Sequence, residues 1–302
     1  MLPFLTGCSA AQTFCTPFAT SAATDSISVT GSFGSAPTLS LNKPVVSKDI
    51  VTKVLNEGNG PTIVGEQMVK FDYTVFNGTS GASLGSSAYD KTTGGEVQFL
   101  KSGATVDMCH ALTGVKQGSR IAVVLPAGLA SNQDTAQLKK TDSVVFVMDI
   151  NKVYLNQATG TVHASDSGMP TVVSAPKTGQ PGVTIPKIAP PTVFKENVLI
   201  EGSGDKVALG DTVTLNYSGF LWSSGDQFDS SWANGTPVQW PITEGQFVPG
   251  FIKALVGAKV GSKVLAVMPP SDAYGEQGNG TIPANSTLVF VIDILGVDKA
   301  AK

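Results

Sequence analysis

The sequence predicts an α+β protein made of two tandem copies of one domain, in which a curved antiparallel β-sheet wraps around one short helix. Three observations lead to this fold class. Segments of the first half recur in the second half at an offset of about 144 residues. Segments such as 212–217 alternate apolar and polar residues, as strands with one buried face do. The segment 249–256 starts with proline and is followed by Gly257, which predicts the short helix.

The internal repeat determines the predicted domain organisation. A period of this length is that of a whole domain and too long for a solenoid repeat. We therefore predict one domain over 48–157 and a second over 192–302. Four pairs of segments recur in the same order: Val54–Gly60 with Val198–Gly204, Phe71–Tyr73 with Leu215–Tyr217, Ala111–Ser119 with Ala254–Ser262, and Val144–Ile150 with Leu288–Ile294.

Most of each predicted domain is strand. In the second copy, Lys263–Met268 alternates between two faces in the same way as 212–217. The run Leu288–Leu295 is rich in strand-forming residues, and Asp293 is its only charged residue. Several antiparallel strands and a single helix are therefore expected in each copy.

Two segments have compositions that do not favour a packed core. Residues 9–47 are rich in Ser, Thr, Ala and Gly and carry almost no charge, so we predict a flexible tether there. Residues 158–191 contain Gly, Pro, Ser and Thr with little periodicity, which favours an extended spacer between the domains.

The cysteines suggest where the protein resides. Leu5-Thr6-Gly7-Cys8 resembles a bacterial lipobox, in which the cysteine is lipidated and becomes the mature N-terminus. The residues before it are too few for a signal peptide, so the expected native start lies further upstream. The alternative is a free cysteine in a disordered leader. Cys15 and Cys109 could form a disulfide in an oxidising compartment, but their spacing alone does not decide this.

Composition excludes several classes of function. A net charge of −3 and a pI near 5.4 argue against nucleic-acid binding. The chain has no apolar run long enough for a membrane-spanning helix, so any membrane association is expected through a lipid anchor. The only histidines, His110 and His163, lie far apart, and no CxxC motif occurs. We therefore predict no metal site and no histidine-based catalytic triad.

Five segments of the second copy together resemble one enzyme family. The most specific is Gly225–Ser231, which contains Phe-Asp-Ser-Ser. The pattern resembles the FKBP-type peptidyl-prolyl cis-trans isomerases, and the resemblance covers 192–297. It implies that both copies are FKBP-like domains. The segments are, in order, Gly210–Gly219, Gly225–Ser231, Gly245–Phe251, Pro270–Gly275 and Ile282–Phe290.

The resemblance assigns roles to individual residues. It implies that Asp229 and Tyr274 carry catalysis, with Asp229 at the rim of a substrate groove and the Tyr274 hydroxyl across its mouth. Two positions depart from the family pattern: the helix residue that is commonly tryptophan is Phe251, and a commonly aromatic hairpin residue is Val238. The implied groove has aromatic walls made by Tyr217, Phe228, Phe251 and Phe290, sides made by Phe247, Val248 and Ile282, and Trp240 beneath.

The implied function is a cofactor-free prolyl isomerase that assists the folding of exported proteins, held outside the cytoplasm by a lipid on the cell membrane. Its expected partners are proline-containing polypeptides, with FK506-type macrolides as further candidate ligands. Strand pattern alone would place Phe228 and Phe290 in the core, and Asp229 could merely start a turn. A non-catalytic peptide-binding chaperone or adaptor lipoprotein therefore remains the alternative.

The first copy departs from the pattern where the groove should be. Leu84 and Gly85 stand in place of Phe228 and Asp229, and Met108 in place of the helix aromatic. We therefore expect little or no isomerase activity in this copy. It is expected to act as a spacer domain, with a peptide-holding surface as the alternative.

Overall fold

A computed structural model describes residues 15–17, 21–90, 94–129 and 138–300. The chain divides into two compact units, Met1–Val153 and Tyr154–Lys302. Cys8, the predicted lipidation site, lies outside the described residues. No helix among the described residues is long and apolar enough to cross a lipid bilayer.

The described part of the first unit contains a six-stranded antiparallel sheet, a separate two-stranded hairpin and one short α-helix. The strand order is β3-β7-β8-β4-β5, and β6 also pairs with β4. Helix α1, Met108–Leu112, begins where the side chain of Asp107 accepts the backbone N–H of His110. The strands are β1 Ile27–Thr30, β2 Thr38–Leu41, β3 Val51–Asn56, β4 Met68–Asn77, β5 Ser83–Ser86, β6 Glu96–Phe99, β7 Arg120–Leu125 and β8 Val144–Val153.

The second unit contains a sheet of order β14-β13-β17-β16-β12-β9, with β15 also paired to β13. It has two short helices, α2 Ser231–Asn234 and α3 Pro249–Leu255. The helix predicted from Pro249 is α3, whereas α2 was not predicted and is capped by the Ser230 side chain. The strands are β9 Thr161–Val162, β10 Thr171–Ser174, β11 Pro181–Thr184, β12 Lys195–Glu201, β13 Thr212–Leu221, β14 Gln227–Ser230, β15 Val238–Pro241, β16 Lys263–Met268 and β17 Leu288–Asp298.

Two β-hairpins lie in segments for which the sequence predicted a flexible tether and a spacer. β1 pairs with β2 in the first unit, and β10 pairs with β11 in the second. Ile27 and Leu39 are buried in one hydrophobic cluster with the first sheet, and Val172 and Val183 pack against the other sheet. The structure differs here from the predicted flexible chain because these few alternating apolar side chains find a sheet face to cover.

A buried ion pair in each unit reaches the turn of its hairpin. The Arg120 guanidinium lies 2.6 Å from Asp149 and donates to three carbonyl oxygens of the β1–β2 turn at 2.7–2.9 Å. In the second unit Lys263 lies 2.5 Å from Asp293 and donates to the carbonyl of Gly179 between β10 and β11. Burying these charges requires such partners, so each pair fixes the hairpin on its sheet.

The two sheets share irregularities as well as strand order. The pairing of β4 with β8 shifts register between Lys70 and Phe71. The pairing of β13 with β17 shifts between Thr214 and Leu215, which stand at the same points of their sheet. Bulges bend strands and redirect side chains, so the same bend recurs in each sheet.

Candidate functional site

The centre of the candidate site is Phe251 on helix α3. Its ring is only 3% exposed, because α3 packs its apolar face on the sheet. Its centroid lies 5.4 Å from that of Phe290, 5.5 Å from Phe247, 5.9 Å from Trp240 and 6.4 Å from Tyr217. Together with Phe228, these residues form an aromatic group that we call the ring cluster. Contacts at these distances stabilise each ring beyond simple burial.

Phe228 forms the half-buried outer wall of the ring cluster. Its ring meets Phe290 edge-on, with centroids 5.6 Å apart. This approach depends on Gly219 in the adjacent strand β13, because a Cβ there would lie 2.5 Å from Cζ of Phe228 and 3.0 Å from Cε1 of Phe290. Gly219 ends the Gly210–Gly219 motif, but its place in that motif does not predict this role. Only the tertiary contact reveals it.

The polar part of the site begins at Tyr217. Its hydroxyl donates a hydrogen bond of 2.5 Å to Oδ2 of the exposed Asp229 on β14. Burial raises the pKa of Tyr217 strongly, and the hydrogen bond and charge of Asp229 raise it further, with a smaller contribution from Tyr274. Tyr217 is therefore a neutral hydrogen-bond donor at neutral pH, and its hydroxyl orients the Asp229 carboxylate.

Four buried polar side chains connect β13 to the segment that carries Asp229. The hydroxyl of Ser231 accepts the backbone N–H of Tyr217 at 2.9 Å and donates to Oδ1 of Asn216 at 2.8 Å. The hydroxyls of Ser218 and Ser230 lie 2.8 Å apart. These contacts hold the rim residue Asp229 in place. The roles of Asn216 and Ser218 were not predicted from the sequence.

Tyr274 is 37% exposed and belongs to the same polar region, because its charge contributes to the raised pKa of Tyr217. It follows the 3-10 turn Pro270–Asp272, which an ion pair of 2.6 Å between Asp272 and Lys253 ties to helix α3. Gly250 on α3 allows this close approach, since a Cβ there would lie 2.9 Å from the Asp272 carbonyl oxygen. The ion pair and the close contact at Gly250 therefore hold the Tyr274 segment against helix α3.

The structure brings the sequence-predicted residues together in one place. Four of the predicted groove residues are buried and four are half-buried, so the cluster has a closed floor and an open side. Asp229 and Tyr274 stand at its rim, and their catalytic roles remain predictions. The buried set is Tyr217, Phe251, Ile282 and Phe290, and the half-buried set is Phe228, Trp240, Val248 and Phe247.

The first unit retains a cavity at the corresponding place. Its volume is about 620 Å³. In accordance with the sequence, the helix contributes Met108 to the lining and β5 contributes Leu84 and Gly85. Tyr73 and Phe146 still provide aromatic walls, with ring centroids 6.3 Å apart.

The cysteine pairing that the sequence left open is present as a disulfide between Cys15 and Cys109. Asp107 and His110 lie beside it, with their ligand atoms within 4.8 Å of each other and of the Cys15 sulfur. A metal held by this group would need the Cys15 thiolate as its third ligand, and the disulfide occupies that sulfur. This group therefore fits a structural cross-link better than a metal centre.

Comparison with known proteins identifies similar sequences. The sequence profile described as FKBP-type peptidyl-prolyl cis-trans isomerase matches residues 204–295. The FK506-binding protein of Streptomyces anulatus is 36% identical over 120 residues, which are 39% of this chain and 97% of the relative. FK506-binding protein 1A of Neurospora crassa is 38% identical over 104 residues, or 34% of this chain and 86% of the relative. The crystal structure of FkpA from Escherichia coli aligns with a TM-score of 0.34 and 32% identity, covering 45% of this chain and 54% of that chain.

Proposed function

This chain belongs to the FKBP-type peptidyl-prolyl cis-trans isomerase family, and from that premise we propose that its second unit catalyses rotation about X–Pro bonds in polypeptides. One observation carries the proposal. The ring cluster around Phe251 opens at Phe228, beside the 2.5 Å hydrogen bond between Tyr217 and Asp229. FK506-type macrolides are proposed as further ligands of this groove, because the relatives are named for binding FK506.

The apolar groove suits the chemistry of this reaction. The barrier to X–Pro rotation is about 20 kcal/mol and comes from amide resonance, so no bond has to be broken. The planar amide is more polar than the twisted transition state, in which resonance is lost. A water-excluding aromatic groove therefore favours the twisted form over the planar one. Phe228, Phe251 and Phe290 provide that environment and pack well against a proline ring.

The rim supplies the polar contacts. The hydroxyl of Tyr217 holds the Asp229 carboxylate beside the groove opening, where its charge acts on the dipole of the rotating carbonyl. The exposed Tyr274 hydroxyl is available to hold a substrate carbonyl from the other side. Contacts that strengthen as the amide twists raise turnover rather than ground-state binding.

The test is kcat and KM of the full chain on a proline peptide, with thermal unfolding measured alongside. Tyr274→Phe is expected to lower kcat about fivefold with little change in KM, since it removes one hydrogen bond worth ~1 kcal/mol. Asp229→Ala should lower kcat further because it removes a charge. Neither should change the melting temperature much, as both side chains are exposed.

The matched control is Asp226→Ala, which removes an exposed aspartate from the turn before β14. This variant should keep wild-type kcat. Wild-type kcat in a folded Asp229→Ala, Tyr274→Phe double variant would contradict the roles given to the rim. A wild-type chain that binds proline peptides without turnover would establish the alternative function, a non-catalytic peptide-binding chaperone or adaptor.

We further propose that the first unit is a second FKBP-like copy that has lost turnover. The shared strand order and the matching register shifts support common descent. The hairpins β1–β2 and β10–β11 also recur at the offset of about 144 residues, so the proposed repeat includes them. A chain with Phe228→Ala and Asp229→Ala is expected to lose most of its turnover. Residual turnover that falls further when Leu84→Trp is added would assign activity to the first unit.

The proposed location is outside the cytoplasm, with a lipid on Cys8 and exported proteins as clients. The lipobox-like residues 5–8 support the anchor, and the disulfide supports an oxidising compartment. The protein from native cells should partition into detergent, and Cys8→Ser should abolish that partition. Equal partition of both forms would contradict the anchor.

A further inference from the structure

The cavity of the first unit differs from the second-unit groove in the strand that forms one side. In β6, Glu96 pairs with Phe71, whereas the corresponding residue of β15 is Val238, paired with Leu215. Two residues further on, Gln98 takes the place of Trp240. The first-unit cavity thus has a more open floor and a carboxylate at its edge.

Glu96 interacts with the tyrosine that the two units share. Burial raises the pKa of Tyr73, and the charge and hydrogen bond of Glu96 raise it further. In the second unit the equivalent Tyr217 interacts instead with Asp229, and the position of Asp229 is Gly85 in the first unit. A tyrosine–carboxylate pair is therefore present in both cavities, although the carboxylate comes from a different strand.

We propose that the first-unit cavity is a non-catalytic binding site for extended polypeptide that presents a prolyl or other apolar side chain beside a lysine or arginine. This inference rests on the proposed common descent of the two units but not on turnover by the second. It adds a polypeptide site, with a sequence preference, to the region expected to be a spacer.

The apolar part of the ligand follows from the lining of the cavity. Tyr73, Phe146, Leu84 and Met108 provide a surface of aromatic and flexible aliphatic side chains. A volume of about 620 Å³ is within the range of small-ligand sites and accommodates a proline or leucine side chain with its neighbours. Methionine adapts to ligands of different shape, so Met108 favours a tolerant site over a highly selective one.

The basic part of the ligand follows from charge. Glu96 is exposed, and it is the only charged residue among the described residues that line the cavity. A lysine or arginine next to the bound apolar side chain would pair with this carboxylate, whereas an acidic neighbour would be repelled. Gly85 stands where the second unit has the rim residue Asp229. The first-unit site is therefore expected to hold the peptide without accelerating rotation about its X–Pro bond.

The experiment uses the full chain with 13C-labelled methionine methyl groups, of which the sequence provides six. Met108 and Met148 line the first-unit cavity, while Met268 lies beneath helix α3 in the second unit, next to Gly250. The probes are two short peptides with a central Leu-Pro, one flanked by lysines and the other by glutamates. The lysine peptide should shift the Met108 and Met148 resonances saturably and bind there more tightly than the glutamate peptide.

Variants of the first unit test the two parts of the proposal. Glu96→Gln should weaken lysine-peptide binding at Met108 by about two- to fivefold, the range for an exposed ion pair. Glu57→Gln, which removes another exposed carboxylate of the same unit, should leave it unchanged. Leu84→Trp should fill the cavity and abolish the Met108 shift.

Isomerase activity, measured on the same proteins, separates this proposal from the proposed function. Leu84→Trp and Glu96→Gln should leave turnover at the wild-type value. If the wild-type chain proved to have no isomerase activity, the shift of Met108 on peptide binding would still be expected. If peptide shifts only Met268, the first-unit site does not exist. If Met108 shifts equally with both peptides and in Glu96→Gln, the proposed preference for basic residues is wrong.

Discussion

The role of Gly219 leads to a prediction that the structure makes quantitative. Gly219→Ala adds one methyl group whose carbon would lie 2.5 Å from Cζ and 2.8 Å from Cε2 of Phe228. Ordinary carbon contacts begin near 3.5 Å, so the Phe228 ring must move by about 1 Å. The backbone of β13 cannot yield, because it pairs with strands on both sides. Phe228 is half-buried whereas Phe290, which the methyl group would approach to 3.0 Å, is buried, so we expect the Phe228 ring to move and the groove wall to change.

The substitution is expected to have a cost in catalysis and a small cost in folding. Displacing Phe228 removes its edge-on contact with Phe290, worth about 0.5–1.5 kcal/mol. If the displaced ring also loses a contact of the same strength with the proline ring in the transition state, kcat/KM falls by about 2- to 13-fold. The free energy of unfolding should decrease by only about 1 kcal/mol, equivalent to about 2–4 °C in a domain of this size. The assay is kcat/KM on a proline peptide with thermal unfolding in the same buffer.

A matched control is Gly182→Ala in β11, where a Cβ would meet only the carbonyl oxygen of Val173 at an ordinary 3.6 Å. This variant should keep wild-type activity and stability. The double variant Gly219→Ala, Phe228→Leu should recover stability but not activity, since leucine leaves space for the methyl group without restoring the wall. Wild-type kcat/KM in folded Gly219→Ala would show that the position of Phe228 does not matter for turnover.

Three further predictions concern stability. Because the pKa of Tyr217 is raised, the stability that its neutral form contributes is complete below pH ~10 and is lost as pH rises toward the folded-state pKa. Tyr217→Phe should therefore lose less stability than the wild type between pH ~10 and ~12 in thermal melts. Lys263→Ala should lower the free energy of unfolding by about 3–5 kcal/mol, because it leaves the Asp293 carboxylate buried without its cation. In denaturant titrations, the double variant Lys263→Met, Asp293→Leu should recover most of this lost free energy. Removing the Cys15–Cys109 disulfide by Cys109→Ala should destabilise the first unit by about 2–4 kcal/mol while isomerase activity stays unchanged, and equal melts of the wild type with and without reductant would contradict this.

The sequence alone was enough to predict which aromatic residues of the second unit meet in the ring cluster. Motif residues such as Phe228, Phe251 and Phe290 could be predicted jointly because a single fold accounts for all of them at those spacings. The helix from Pro249 was predicted from proline at its first turn, a local rule that needs no tertiary partner. These predictions depended on local pattern or on resemblance to a family, and both can be recognised in the linear sequence without a tertiary structure.

Only the tertiary structure decided the rest, because the deciding contacts join residues far apart in sequence. The segments predicted as tether and spacer contain hairpins that are stable only against a sheet face, held by ion pairs such as Arg120–Asp149. Gly219 matters through Phe228 and Phe290, which no local rule connects to it. Glu96 on β6 reaches Tyr73 on the neighbouring strand β4, so β6 supplies the carboxylate that position 85 lacks. Composition describes what a segment could do alone, whereas burial and pairing depend on which surfaces the fold brings to it.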